Sequence, residues 1–112
     1  MVRVAVPIFR SRISPVFDSC TRVLLVDIEG NREMHRSEIY LDELSLTERV
    51  AILQKSGVGT VICGGISELM CSMLLGANIA PIPGIAGNVE QVVRAYLAEG
   101  LGAPQFQMPG QR

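Results

Sequence analysis

The chain has 112 residues, of which 48% are hydrophobic and 19% charged, and its formal net charge is −1. That composition excludes a disordered, collagen-like or coiled-coil chain and fits one small domain able to bury a real core. The near-neutral balance supplies no field that would draw the protein to nucleic acid or to an anionic membrane.

The apolar runs, such as Val23 to Val26 and Thr60 to Cys63, are far shorter than the roughly 20 residues of a membrane span. The start of the chain carries Pro7, Arg10 and Arg12 where a signal peptide needs an apolar stretch. The expected location is therefore cytoplasmic, where thiols stay reduced. Cys20, Cys63 and Cys71 are odd in number and include no CxxC pair, which argues against a disulfide framework and a structural zinc site.

Val2 to Ile8 is an apolar run rich in β-branched residues, closed by Pro7 and a polar loop, and reads as a buried strand. Arg22 to Ile28 is a second such run. The turn Glu29-Gly30-Asn31-Arg32 leads to a third, Glu33 to Leu41, whose looser alternation suits an edge strand in a hairpin with the second. The period then changes. Ser45 and Glu48 have capping-box spacing, and Leu46, Val50 and Leu53 recur at helical intervals until Gly57. Thr60 to Cys63 is a fourth strand, closed by Gly64 and Gly65. A second helix follows, with Ile66, Leu69, Met70, Met73 and Leu74 on one face and Gly76 as its stop. Ile79 to Ile82 is a fifth strand. Asn88 caps a third helix with an apolar face of Val89, Val92, Val93, Tyr96 and Leu97, ending at Gly100.

The order β-β-β-α-β-α-β-α predicts an α/β fold. Its mixed five-stranded sheet would begin with an antiparallel hairpin and continue in βαβα units, with helices on both faces. Right-handed crossovers make strands one, four and five parallel neighbours. Residues 1–102 form one domain on this reading, and residues 103–112, with two prolines and a glycine, form a flexible tail.

In such sheets ligands bind beyond the carboxyl ends of the parallel strands. Three segments are expected to converge there: the loop Phe9 to Cys20, the turn Cys63-Gly64-Gly65, and the turn from Pro83 and Gly84 to Gly87 and Asn88. Glycines let backbone approach a ligand and aim helix-start amides at it, which favours an anion, and Arg10 and Arg12 add charge of matching sign. Ser14 and Asp18 lie in the same loop. Glycines at strand-to-helix turns also serve chain geometry alone, and Asp18 also suits a turn or cap. Free cysteines usually pack as small hydrophobes. Cys63 is placed to face either core or cleft, Cys71 reads as a partly buried filler, and Cys20, at the loop's end, is the thiol most open to solvent. His35, on the edge strand, reads as a solvated side chain. No cluster of carboxylates and no nucleophile-and-base spacing argues for catalysis.

Several stretches together resemble a known family. Ile13-Ser-Pro-Val-Phe-Asp-Ser-Cys20, Val61-Ile-Cys-Gly-Gly-Ile66, Leu74-Leu-Gly-Ala-Asn-Ile79 and Pro83-Gly-Ile-Ala-Gly-Asn-Val-Glu90 are similar to the dinitrogenase iron–molybdenum cofactor biosynthesis (NifX/NifB-type) domain, over about residues 2 to 102. The resemblance implies a three-layer α/β/α, ribonuclease H-like fold without nuclease activity. It implies a non-enzymatic carrier that binds a metal–sulfur cluster: iron–molybdenum cofactor or its precursor, or the molybdenum–copper sulfide cluster of small orange-protein-type members. The partners implied are the cluster and the proteins that donate or accept it; the edge strand and the Met-rich second helix separately give a monomer or weak homodimer as the expected state. Cofactor contacts would come from Arg10, Arg12, Ser14, Asp18, Cys20, Gly64, Gly65, Gly84 and Gly87, with Cys20 and Cys63 as metal ligands. Many members carry histidine near the position of Val16, so here Cys20, Cys63 or a non-covalent cradle must take its place. The competing expectation is an interaction module on the same fold without a cluster.

Overall fold

The computed structural model describes residues 2–98. The expected tail at 103–112 and the helix stop at Gly100 lie outside them. The elements run β1 (Val2–Phe9), β2 (Arg12–Ile13), β3 (Arg22–Glu29), β4 (Arg32–Tyr40), α1 (Leu46–Lys55), β5 (Thr60–Ile62), α2 (Glu68–Gly76), β6 (Ala80–Ile82) and α3 (Val89–Leu97). The sheet order is β4-β3-β1-β5-β6, with the short β2 paired to β1. β3 and β4 form the expected antiparallel hairpin, and β1, β5 and β6 are parallel neighbours.

Among the described residues the sheet has six strands rather than the expected five. Strand β2 is only two residues long, too short to carry a period, and it folds back on β1 through Ile8 opposite Ile13. β1 itself runs through Pro7 to Phe9 instead of closing at the proline. A residue's N–H and C=O point to one side of a strand, and the Pro7 carbonyl accepts the Ser14 amide at 2.9 Å on the β2 side. The missing N–H therefore faces away from β3, and the β1–β3 ladder stays complete.

Both faces of the sheet are covered, giving three layers. Ala5, Val23, Leu25 and Val61 pack beneath α1 and α2 with Val50, Leu53, Met70 and Leu74. The alternate residues Val4, Val6, Leu24, Val26 and Ile62 pack beneath α3 with Val89, Val92 and Val93. This is the period-two division of a strand between two buried faces. Helices α1, α2 and α3 each begin on a capping side chain: Ser45 with the reciprocal Glu48 contact, Ser67, and Asn88. α2 starts at Glu68, later than the glycine pair implied, and Leu69 is exposed rather than part of its buried face. Met70 and Leu74 fill that face. At the sheet end where β1 begins, Arg3 forks onto the Asp27 carboxylate at 2.6 and 3.1 Å and donates to the Ser56 carbonyl. His35 is exposed on β4, as expected.

Candidate functional site

The three segments that follow β1, β5 and β6 do converge, and backbone hydrogen bonds weld them together. The Gly65 amide donates to the Pro15 carbonyl at 2.7 Å, and the Phe17 amide returns to the Gly65 carbonyl at 2.8 Å. The Gly84 amide donates to Gly64, the Ile13 amide to Gly87 and the Val89 amide to Ser11.

This seam gives Gly64 and Gly65 a structural role. A Cβ on Gly64 would sit 2.8 Å from the carbonyl oxygens of both Ser14 and Pro15, and one on Gly65 would sit 3.1 Å from Pro15. Glycine is required there because another strand of backbone lies against it. The amides of Gly65 and Gly84 are spent on protein carbonyls, so they are not donors held ready for an anion. Gly84 and Gly87 instead provide the positive φ, +77° and +133°, of the third turn. Asp18 likewise has a structural partner: its carboxylate accepts from the Ser67 amide at 3.0 Å and the Ser67 hydroxyl at 2.5 Å. It thereby ties the first loop to the start of α2.

A crevice of about 380 Å³ remains open beside this seam, at the carboxyl end of β1. Ser14, Ser19, Cys20 and Thr21 line it, with Phe9 and Val16 on its rim. Phe9 is 58% and Val16 47% exposed. The structure thus brings Ser14 and Cys20 together. It does not bring Arg10 to the same place: that residue lines a separate groove with Ser11, Arg36 and Glu90, and its guanidinium stacks 5.2 Å from the Phe9 ring centre. Arg12 is exposed on β2.

The thiols also differ from expectation. Cys20 is only 4% exposed, because Phe17 and Cys20 turn the loop's end down onto the core. Burial pushes its thiol up to about 11 against the opposing pull of Arg49. Cys63 is fully buried among core side chains, and burial raises its thiol to about 12. It faces the core rather than the cleft. Cys71 is half-buried, as expected.

Arg49 is the residue that sequence reasoning missed. Only 6% exposed, it lies behind Cys20. It donates from Nε to the Leu44 carbonyl at 3.0 Å and from a terminal nitrogen to the Cys20 carbonyl, with the Cys20 Sγ 3.9 Å away. Among the described residues its partners are two carbonyls and a thiol, with no carboxylate in its ion-pair contacts. The wall behind the crevice therefore carries a buried positive charge. A signal was present: Arg49 stands three residues after Leu46 and one before Val50, on the helix's apolar stripe.

Among the described residues no group of three or more His, Cys, Asp or Glu side chains assembles. The dinitrogenase iron-molybdenum cofactor family pattern matches residues 1–99. The chain belongs to that family. Solved structures agree on its fold. PH0822 superposes with a TM-score of 0.86 at 18% identity, covering 98% of this chain and 96% of that one. The apo form of the orange protein from Desulfovibrio gigas superposes with a TM-score of 0.73 at 21% identity, covering 98% and 94%. No curated protein shows significant similarity to the chain. Among the described residues no helix is long and apolar enough to cross a membrane.

Proposed function

We propose that this member of the iron–molybdenum cofactor family binds an anionic metal–sulfur cluster as cargo in the Cys20 crevice and carries it without transforming it. The observation that carries the reading is Arg49: a buried guanidinium with no carboxylate partner among the described residues, set behind the crevice at the carboxyl end of β1. A buried charge without a counter-ion is costly, and an incoming anion offsets that cost in a low-dielectric setting. Ser19 and Thr21 supply hydroxyl donors around it, while the Ser14 hydroxyl donates to the Val16 carbonyl at 3.4 Å.

The cargo is held mainly as an ion. Cys63 is walled off, and Cys20 binds a soft metal only after losing a proton that burial retains near neutral pH. Phe9 and Val16 on the rim give a cluster-donating or cluster-accepting protein an apolar edge to dock against. Within the family both iron–molybdenum cofactor and a molybdenum–copper sulfide remain candidate cargoes.

The test is an oxygen-free titration with isolated iron–molybdenum cofactor and, separately, with tetrathiomolybdate plus Cu(I). Gel filtration and metal analysis then report what stays bound. Retention of one cargo at about one per chain supports the carrier. If neither co-elutes with the folded protein, the carrier reading fails and the cluster-free interaction module takes its place.

A further inference from the structure

Beyond cargo binding, the structure carries an inference about how two copies of the chain meet. Strand β4 spans nine residues and ends the sheet on one side, and among the described residues no strand lies on its outer edge. It contains neither Pro nor Lys, two common means of blunting an edge. It carries two arginines and two glutamates, so two copies meet without net repulsion.

The geometry selects a register. The ladder to β3 is regular from Asp27 opposite His35 to Arg22 opposite Tyr40, and it slips at Met34. Leu41 then leaves the edge, buried, with its amide on the Thr21 carbonyl. The segment free to self-pair is His35 to Tyr40. In an antiparallel pair, opposed residues must present the same side of the backbone, so a two-fold axis between identical strands passes through a residue. Centring it on Arg36 sets Arg36 against itself, and centring it on Glu38 sets Glu38 against itself. Centring it on Ser37 places Arg36 opposite Glu38 twice and His35 opposite Ile39 twice. Opposite charges in directly opposed positions stabilise a ladder and like charges destabilise it.

We infer that β4 is a self-recognition edge, on which a second copy of this chain pairs antiparallel about a two-fold axis through Ser37. The charges involved already have partners within the chain, Arg36 with Glu33 and Glu90 and Glu38 with Arg22, all at the surface. The pairing therefore extends an existing network and buries little area, which sets the dimer as weak and concentration-dependent.

The experiment traps it by disulfide. In the full chain with Cys71→Ser, single cysteines are placed at Ser37, His35 and Tyr40 and oxidised gently. Opposed Ser37 positions lie about 4.5–5.5 Å apart between Cα atoms, within disulfide reach. The two His35 positions are offset by four residues, about 13 Å, and are not. Ser37→Cys is expected to link about tenfold faster than His35→Cys or Tyr40→Cys. Adding Glu38→Arg, which faces arginine with arginine, is expected to slow that linkage about tenfold.

Equal rates at the three positions mean random collision and overturn the inference. Fastest linkage at His35 overturns the register. Linkage at Ser37 that ignores Glu38→Arg overturns the charge pairing that selects it. If linkage appears only after residues 99–112 are deleted, that segment occupies the edge and the inference also fails.

Discussion

Two arginines at opposite ends of the sheet solve the same problem differently. Arg3 meets Asp27 with a forked pair of hydrogen bonds and caps the arrangement on the Ser56 carbonyl. That unit is electrically closed. Its pairing holds the Asp27 carboxyl below the usual aspartate range, with the hydrogen bond from Arg3 as the main cause. Arg49 is more deeply buried, and its partners among the described residues are carbonyls and the Cys20 thiol. Charge is neutralised at the end where β1 begins and, among the described residues, left without a carboxylate at the end where three loops meet. The difference separates an ion pair that holds the fold from the cation that, on the function proposed above, receives the anion.

The comparison is broken most severely by attacking the seam that builds the crevice. Gly64→Ala drives a methyl against two backbone carbonyls at 2.8 Å, and neither belongs to a flexible side chain. A loss of about 2–3 kcal/mol in chemical denaturation is expected, in the range of overpacked cores. At Arg49, methionine keeps much of the volume and removes the charge. Arg49→Met is expected to weaken cluster binding by about tenfold or more, equivalent to about 1.4 kcal/mol, with helix content unchanged by circular dichroism.

The closed pair is sharpened by pH. Asp27 has a depressed folded value, so its contribution is complete above the ordinary aspartate value of about 3.9 and is lost as pH falls through its folded value. Denaturation midpoints should decline below about pH 4, and Asp27→Asn should flatten that acid limb. The thiols give the opposite limb. Cys20 and Cys63 are raised in the fold, so their contribution is intact below the ordinary thiol value of 9.0 and declines as pH climbs towards about 11 and 12. Cys63→Ala should make stability between pH 9 and 11 less steep. The smallest effect is chemical reactivity: at neutral pH, iodoacetamide should label half-buried Cys71 well before Cys20.

Much of this architecture is legible in the residues. Helical spacing, the Ser45–Glu48 capping box and β-branched runs report local geometry, and the sheet follows from handed crossovers. Strand β2 was not legible because two residues have no period. The glycine pair was legible as a special turn but not as a docking seam, since Gly64 and Ser14 meet only through the fold. Cys20 reads as the end of a polar loop, and only the burial of Phe17 beside it reveals that the thiol points down. Arg49 was visible as a charge on an apolar stripe. What the stripe cannot show is which groups surround it, and those groups make it more than a solvated helix residue.

The most direct test compares the two ends of the sheet in one assay. Cluster retention without oxygen would be measured for the unaltered protein, for Arg49→Met and for Asp27→Asn, each first shown to be folded. The account predicts that Arg49→Met loses the cargo while Asp27→Asn holds it as well as the unaltered chain. Undiminished retention by Arg49→Met would contradict the claim that the open cation is what binds the anion.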